Sequence, residues 1–189
     1  MKVLIVVDMQ NDFIFGSLGS EAAQAILPNV VKKVQEYENS QSLVIFTLDT
    51  HTEDYFNTLE GKNLPILHCI KDSKGWELAE DITTFFKSSS CIKYSSGEIN
   101  DNKLLKSTFG SYDLINALYT LELEQNEKIE EIELCGLVSN ICLVSNAIMT
   151  KMAFPEILIT VDSTCCAGTS LEEHEAALKI MRSCQINVI

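Results

Sequence analysis

The sequence lacks several features that would direct the protein to particular partners. It contains no block of lysine or arginine, and its formal net charge is -13 over 189 residues. A phosphate backbone or an anionic membrane surface requires a cationic face, so we expect neither nucleic acid nor a membrane as a partner. No apolar run approaches the roughly 20 residues that cross a bilayer.

The seven cysteines are an odd number and include no C-x-x-C pair. The amino-terminal segment MKVLIVVDMQ has too short an apolar run for a signal peptide and leads directly into an acidic residue. Both observations are typical of a reduced compartment, so we expect a cytoplasmic protein. We interpret the neighbouring Cys165 and Cys166 as packing residues, because a disulfide between them would be strained.

The chain also lacks a repeat, a low-complexity linker and a second domain. Its length and its hydrophobic content of 46% suffice for one sizeable core, so we predict a single domain over residues 1–189. Strand patterns alternate with helical patterns along the chain. This alternation predicts an α/β fold with a doubly wound, mostly parallel six-stranded sheet, helices on both faces and the Rossmann-like order 3-2-1-4-5-6.

The predicted strands are residues 2–7, 42–48 and 90–94, a central strand that includes Ile132 and Leu134, and residues 156–161 and 186–189. The predicted helices cover residues 21–39, 76–86 and 111–123, a segment from about Ile141, and a segment that Ser170 and Glu173 cap and that runs to about Cys184.

Cys142 is the first candidate for chemistry. It falls in the predicted first turn of the helix after the central strand, where unpaired N–H groups and the helix dipole favour a thiolate. The alternative is an inert packing residue, because free cysteines are often buried. In the predicted strand order, Asp8 at the end of the first strand faces the same crevice as Cys142.

A cysteine that attacks a carbonyl needs a group that accepts and later returns a proton. Asp8 is the candidate, provided that burial raises its pKa; otherwise it is a polar residue that ends a strand. Lys106 would hold the carboxylate and the thiolate together, or else be an exposed loop lysine. His174 lies among the charges of LEEHEAALK, and we predict that it faces solvent.

A second group of polar residues lies in the long irregular stretch 49–75. Asp49 and His51 are two residues apart, so in extended backbone they point to the same side, and His68 returns from the same stretch. Two imidazoles and a carboxylate form a plausible site for a divalent metal, with zinc favoured and iron or manganese as alternatives. Glu60 would supply a fourth ligand. The other interpretation is a set of polar loop residues.

Several segments together resemble the isochorismatase-like cysteine hydrolases, and among these the nicotinamidases. They are DMQNDF at Asp8, the pair Asp49 and His51, His68 with Cys69, Lys106 with the following STF, and GLVSNICL at Cys142. The match runs from the first strand to the last helix. The resemblance implies a triad of Asp8, Lys106 and Cys142, which hydrolyses nicotinamide or a similar small amide to the acid and ammonia through a thioester.

The resemblance implies further features of the site. The backbone N–H groups of Ser139 and Cys142 would form an oxyanion hole beside a cis peptide between Val138 and Ser139, and Val138 would line the substrate site. Phe13 matches the ring-stacking position. The metal would bind the pyridine nitrogen and so position the substrate. Relatives are often dimers or larger, so the resemblance also implies a homo-oligomer.

The sequence departs from the nicotinamidases in the segment LEGKNLPILHC, which carries no tryptophan where those enzymes often present an aromatic residue. Trp76 is the candidate for this role from the other side. The alternatives are a hydrolase for another small amide, of ureido or carbamoyl type, and a non-catalytic member that binds a ligand or a partner protein. A phosphotransferase that uses Asp8 as its nucleophile would have a second acidic residue at position 10. The residue there is Gln10, which argues against this function.

Overall fold

The computed structural model describes residues 1–95, 97–125 and 127–189. The strands in these ranges are β1 (Lys2–Val7), β2 (Leu43–Asp49), β3 (Ile92–Tyr94), β4 (Gly97–Ile99), β5 (Lys103–Lys106), β6 (Glu131–Leu137), β7 (Leu158–Ala167) and β8 (Asn187–Val188). The α-helices are α1 (Asn11–Ile14), α2 (Glu21–Asn39), α3 (Leu59–Asn63), α4 (Glu80–Phe85), α5 (Tyr112–Gln125), α6 (Val144–Ala153) and α7 (Leu171–Ser183). A 3-10 turn covers Glu53–Asn57, and a π-helical turn covers Ser139–Leu143.

Six of these strands form one parallel sheet in the order β5-β2-β1-β6-β7-β8. Every residue from Val3 to Val7 in β1 is completely buried. Successive side chains of a strand point to opposite faces, so this burial means that both faces of the sheet are covered. The predicted α/β fold is therefore confirmed. No helix in the described ranges is long and apolar enough to cross a membrane.

The third strand of the sheet is β5, and the prediction of residues 90–94 for this position was wrong. β3 pairs antiparallel with β4 in a separate two-stranded sheet. β5 is a short edge strand in which Leu104 is buried and Leu105 is 41% exposed. A four-residue edge strand with one buried leucine has little of the apolar pattern that identifies a strand. With β5 in third place, the order is the predicted one.

The predicted helix over residues 76–86 is shorter in the structure, where α4 begins at Glu80. The residues just before α4 are bonded to the segment that follows β1. The Asn11 amide donates to the Glu77 carbonyl, and the Ala79 amide donates to the Met9 carbonyl. These backbone groups bond outside the segment and do not form a helix. The long helix α2 has the predicted bounds, and Ser170 caps α7 by accepting from the Glu173 amide.

Candidate active site and metal centre

Three neighbouring strands bring Asp8, Asp49 and Lys106 to one edge of the sheet. Asp49 and Lys106 are paired in register on β2 and β5. Asp8 directly follows β1 and has a positive φ of 49°, and its amide donates to the carbonyl of Thr47 on β2 at 3.1 Å. These residues stand at the carboxyl ends of parallel strands, where open α/β sheets form their sites.

The structure brings together the three residues of the predicted triad. The Lys106 Nζ atom lies 2.7 Å from Asp8 Oδ2 and 3.7 Å from Cys142 Sγ. All three side chains are buried, with exposed fractions of 0% for Asp8, 5% for Lys106 and 6% for Cys142. Thr47 Oγ1 donates to the other Asp8 oxygen, Oδ1, at 2.7 Å. The ammonium therefore sits between the carboxylate and the sulfur.

Burial controls the protonation of this group. It raises the pKa of Asp8, while the Lys106 ammonium and the Thr47 hydroxyl oppose the shift. It also raises the pKa of the Cys142 thiol well above its usual value, and the Asp8 carboxylate adds to this effect. Burial therefore opposes the thiolate that the helix end was expected to favour, and it outweighs the favourable charge of Lys106. The thiol would need a base in order to react.

Cys142 lies in the π-helical turn Ser139–Leu143, which joins β6 to α6. The Val138 carbonyl accepts from the amides of Ile141 and Leu143, both at 3.1 Å, so Val138 already belongs to this turn. The cis peptide joins Leu137 to Val138. The prediction of a cis bond between Val138 and Ser139 was wrong by one residue, because the turn already includes Val138.

Asp49, His51, Glu60 and His68 form the second group, and their nearest ligand atoms all lie within 4.8 Å of one another. Asp49 Oδ2 is 3.0 Å from His51 Nε2 and 3.4 Å from His68 Nε2. Glu60 Oε1 is 3.7 Å from His51 Nε2 and 4.0 Å from His68 Nε2. The four predicted ligands therefore converge on one point.

The donor set fits a divalent cation. His68 Nδ1 lies 2.8 Å from the carbonyl of Ile66, and a donated hydrogen bond there leaves the lone pair on Nε2, which faces the cluster. Burial alone would raise the pKa of Asp49, but in the absence of a metal the hydrogen bonds donated by His51 and His68 hold it below the usual range, and a bound cation would replace the donated protons. An ionised carboxylate and two imidazoles are suitable ligands for zinc.

The three predicted substrate-binding residues have different surroundings. The Phe13 ring is half-buried and lies 5.6 Å from the His68 ring, and Val138 is half-buried beside the Cys142 turn. Trp76 helps to line a cavity of about 430 Å³ with Asn11 and seven other residues, none of them in the triad or the metal group. Its indole nitrogen donates at 2.9 Å to Oγ1 of Thr50, the residue between Asp49 and His51, and its role at the substrate stays a prediction.

Sequence reasoning missed two buried polar residues that support the site. Thr47 orients Asp8, and a hydroxyl inside the apolar strand LVIFTLD is a signal that could have found it. Gln10 accepts from the Asp49 amide at 2.7 Å and donates to the Asp49 carbonyl at 2.9 Å. No local pattern separates Gln10 from an ordinary loop glutamine.

Asn146 is a third missed residue, and it joins the segment after Lys106 to the Cys142 turn. Its Nδ2 donates to the carbonyls of Phe109 at 3.0 Å and Cys142 at 2.8 Å, and its Oδ1 accepts from the Ser111 amide at 3.2 Å. The side chain is completely buried. An asparagine in the middle of an apolar helix, with no solvent to satisfy it, is the sequence signal that was available.

The prediction that His174 faces solvent was wrong. Its ring is half-buried, and Nδ1 lies 2.9 Å from the hydroxyl of Ser139 at the start of the Cys142 turn. The approach is close because Gly168 separates the two: a Cβ atom at Gly168 would lie 2.9 Å from Ser139 Oγ. The prediction failed because it relied on the charged residues that flank His174 in the sequence, which are typical of a solvent-exposed helix face.

The fold and the two joined clusters define a doubly wound α/β protein with a buried cysteine site at the carboxyl edge of its sheet. Residues 2–189 match the family model described as the Isochorismatase domain, and the chain belongs to the isochorismatase family of hydrolases. No curated protein sequence matches the chain significantly.

Solved structures of similar fold include several amidases. The nicotinamidase of Bacillus subtilis is 26% identical, with a TM-score of 0.79 over 99% of this chain and 98% of that one. The pyrazinamidase of Pyrococcus horikoshii, solved in complex with zinc, is 20% identical, with a TM-score of 0.74 over 100% and 98%. The N-carbamoylsarcosine amidase of Thermoplasma acidophilum is 21% identical, with a TM-score of 0.73 over 99% and 94%.

Proposed function

We propose that the protein is a metal-containing cysteine amidohydrolase that converts nicotinamide or a similar small amide to the acid and ammonia. The position of the Lys106 ammonium carries this proposal, at 2.7 Å from Asp8 and 3.7 Å from Cys142. A buried carboxylate, a buried ammonium and a buried thiol in contact are costly to maintain as structure alone. A catalytic role accounts for all three.

In the first step, the Cys142 sulfur attacks the amide carbonyl while Asp8 accepts the thiol proton. The pKa of Asp8 is raised by burial, which makes the carboxylate a stronger base than an exposed aspartate. Lys106 stabilises the negative charge that moves from the carboxylate to the sulfur and onward to the substrate. Since these groups are shielded from water, the charge interactions are stronger than they would be in solution.

The backbone N–H groups of Cys142 and of the start of its turn, at Val138 and Ser139, would receive the developing oxyanion. One such donor typically stabilises a transition state by about 3 kcal/mol. Collapse of the tetrahedral intermediate breaks the carbon–nitrogen bond, and Asp8 returns its proton to the departing ammonia. A water molecule then attacks the thioester, Asp8 accepts its proton, and the acid is released as Cys142 recovers the thiol.

Asp49, His51, His68 and Glu60 would hold the divalent metal, for which we propose zinc, with iron and manganese as alternatives. When bound, the ion supplies a Lewis acid to which a ring nitrogen of the substrate can coordinate. Phe13, whose ring lies 5.6 Å from that of His68, is placed to stack on a planar ring at this position. These residues would bind and orient the amide toward Cys142.

Ammonia release from nicotinamide by the purified, zinc-loaded protein tests this function. Benzamide is the matched control, because it keeps the ring and the amide but lacks the ring nitrogen. We expect nicotinamide to react at least about tenfold faster, since one coordinating contact is lost in benzamide. Equal rates would remove the metal from substrate positioning, and no ammonia with zinc, iron or manganese would reject nicotinamide.

A second candidate is an amide of ureido or carbamoyl type. The segment LEGKNLPILHC favours it, because it carries no tryptophan where nicotinamidases often present an aromatic residue. A panel that includes carbamoyl amides distinguishes the two substrates. A non-catalytic binding protein is the third alternative, and it predicts that no small amide in the panel releases ammonia. A homo-oligomer and a cytoplasmic location remain predictions.

A further inference from the structure

Ser139, the first residue of the Cys142 turn, uses its side chain to contact a helix that is remote in the sequence. The residue is completely buried, and its hydroxyl lies 2.9 Å from Nδ1 of His174 on α7. A hydroxyl can donate or accept, so the hydrogen bond forms with either protonation of Nδ1. His174 belongs neither to the proposed triad nor to the metal ligands.

The same two segments are joined a second time. Asn140 Nδ2 donates to Thr169 Oγ1, and the Thr169 amide donates to Asn140 Oδ1, both at 3.0 Å. Gly168 lies against this contact, where a Cβ atom would be 2.9 Å from both Ser139 Oγ and the His174 amide. The segment 168–174 therefore fits closely against the start of the turn. The Asn140 pair is exposed, whereas the Ser139 contact is partly shielded from water.

We propose that His174 is a positioning residue for the oxyanion hole. By holding the Ser139 hydroxyl, it fixes the start of the Cys142 turn, whose N–H groups are proposed above to receive the oxyanion. The inference rests on the proposed function. Because the oxyanion exists only as the carbonyl is attacked, loss of this hold should lower kcat and leave KM nearly unchanged.

Five single substitutions and one double variant test the role. His174→Ala removes the hydrogen bond. His174→Asn places an amide close to the position of Nδ1, whereas His174→Gln places the same amide one bond farther out. Glu175→Ala, at an exposed position on the same helix, controls for changes in α7. Ser139→Ala and the double variant with His174→Ala complete the set. If the two residues act through one hydrogen bond, the effects of the two substitutions on kcat should not add.

Two measurements are made on each variant: kcat and KM for an amide that the wild type hydrolyses, and the rate at which iodoacetamide alkylates Cys142, followed by peptide mass spectrometry. Alkylation forms a carbon–sulfur bond and releases iodide from a saturated carbon, so no oxyanion arises. The alkylation rate therefore reports the thiol and its base without the oxyanion hole.

We expect the Ala and Gln variants of His174 to lower kcat about tenfold or more, because small displacements of a catalytic group are costly. KM and the alkylation rate should stay within about twofold of wild type, the Asn variant should keep most of its kcat, and the double variant should be no slower than Ser139→Ala. Three results would overturn this inference without affecting the proposed function. They are an unchanged kcat in all His174 variants, an alkylation rate that falls in parallel with kcat, and a kcat for His174→Asn as low as that for His174→Ala. A wild type that hydrolyses no amide in the panel would overturn the proposed function and this inference with it.

Discussion

The Asp49 carboxylate joins the proposed metal site to the Lys106 ammonium. Its Oδ1 lies 3.7 Å from Lys106 Nζ, and its Oδ2 lies 3.0 Å from His51 Nε2. The two residues are direct partners in the pairing of β2 with β5. A shift of one residue in this register would turn one of the two side chains to the opposite face and separate the clusters.

Asp49→Asn should therefore affect both clusters. It keeps the shape of the side chain but removes the charge that faces His51, His68 and Lys106, so we expect zinc affinity to fall by about 100-fold or more. Metal content after dialysis, measured by mass spectrometry, checks this without reference to activity. Asp54→Asn is the matched control, because Asp54 is an exposed carboxylate of the same loop. Full zinc retention in Asp49→Asn would remove this residue from the metal site.

Cys142→Ser tests the nucleophile. The hydroxyl is much less acidic than a thiol, so Asp8 cannot activate it in the same way, and we expect kcat to fall by about 1,000-fold or more. The melting temperature should change little, because the substitution alters one atom. Cys91→Ser, at an exposed free cysteine, should have wild-type activity. Ammonia release by Cys142→Ser at the wild-type rate would contradict the role of this thiol as the nucleophile.

The elements that the sequence predicts well are those whose burial is uniform or whose ends are capped. β1 has the predicted bounds because it is buried on both faces, and α2 because Ser20 accepts from the Ala23 amide at its start. β5 could not be predicted, because an edge strand of four residues buries too little apolar surface to show the hydrophobic pattern of a strand. The isolated hairpin of β3 and β4 took its place in the prediction.

Some residues of the candidate site could likewise be predicted from the sequence, and others could not. Residues at strand ends, such as Asp8 and Asp49, could be predicted because the topology of a parallel sheet fixes where those ends meet. The contact between Ser139 and His174 could not, since it depends on how α7 packs against a turn 35 residues earlier in the sequence. The rise in the pKa of Cys142 could not be predicted either, because the cost of burial depends on how the whole molecule packs.

Thr47→Val should move the acid limb of the pH–activity profile. Asp8 must be ionised to accept a proton, so kcat/KM is present above the pKa of Asp8 and is lost as pH falls through it. Burial raises this pKa and the Thr47 hydroxyl opposes the rise, so removing the hydroxyl should shift the limb to higher pH. Thr160→Val, at a buried threonine in β7, is the control. An unmoved limb would mean that another group sets it.

Lys33 should be important for stability and not for activity. Its Nζ lies 2.5 Å from Glu133 Oε1 and 2.8 Å from Asp162 Oδ2, and it ties α2 to β6 and β7. Lys33→Met would leave two buried carboxylates without their cation, so we expect the free energy of unfolding at pH 7 to fall by about 3 kcal/mol. Lys32→Met is the matched control, because Lys32 is 77% exposed and its ion pair with Glu36 should contribute little.

The pH dependence of the Lys33→Met effect gives a further check on the cause. Burial alone would raise the pKa of Asp162, but the hydrogen bond from Lys33 lowers it. An acid with a lowered pKa in the folded state contributes stability above its unfolded pKa of about 4 and loses it as pH falls. The difference between wild type and Lys33→Met should therefore shrink as urea unfolding is measured from pH 7 toward pH 3. A difference that stays constant over this range would mean that lost packing of the lysine stem, and not its charge, causes the destabilisation.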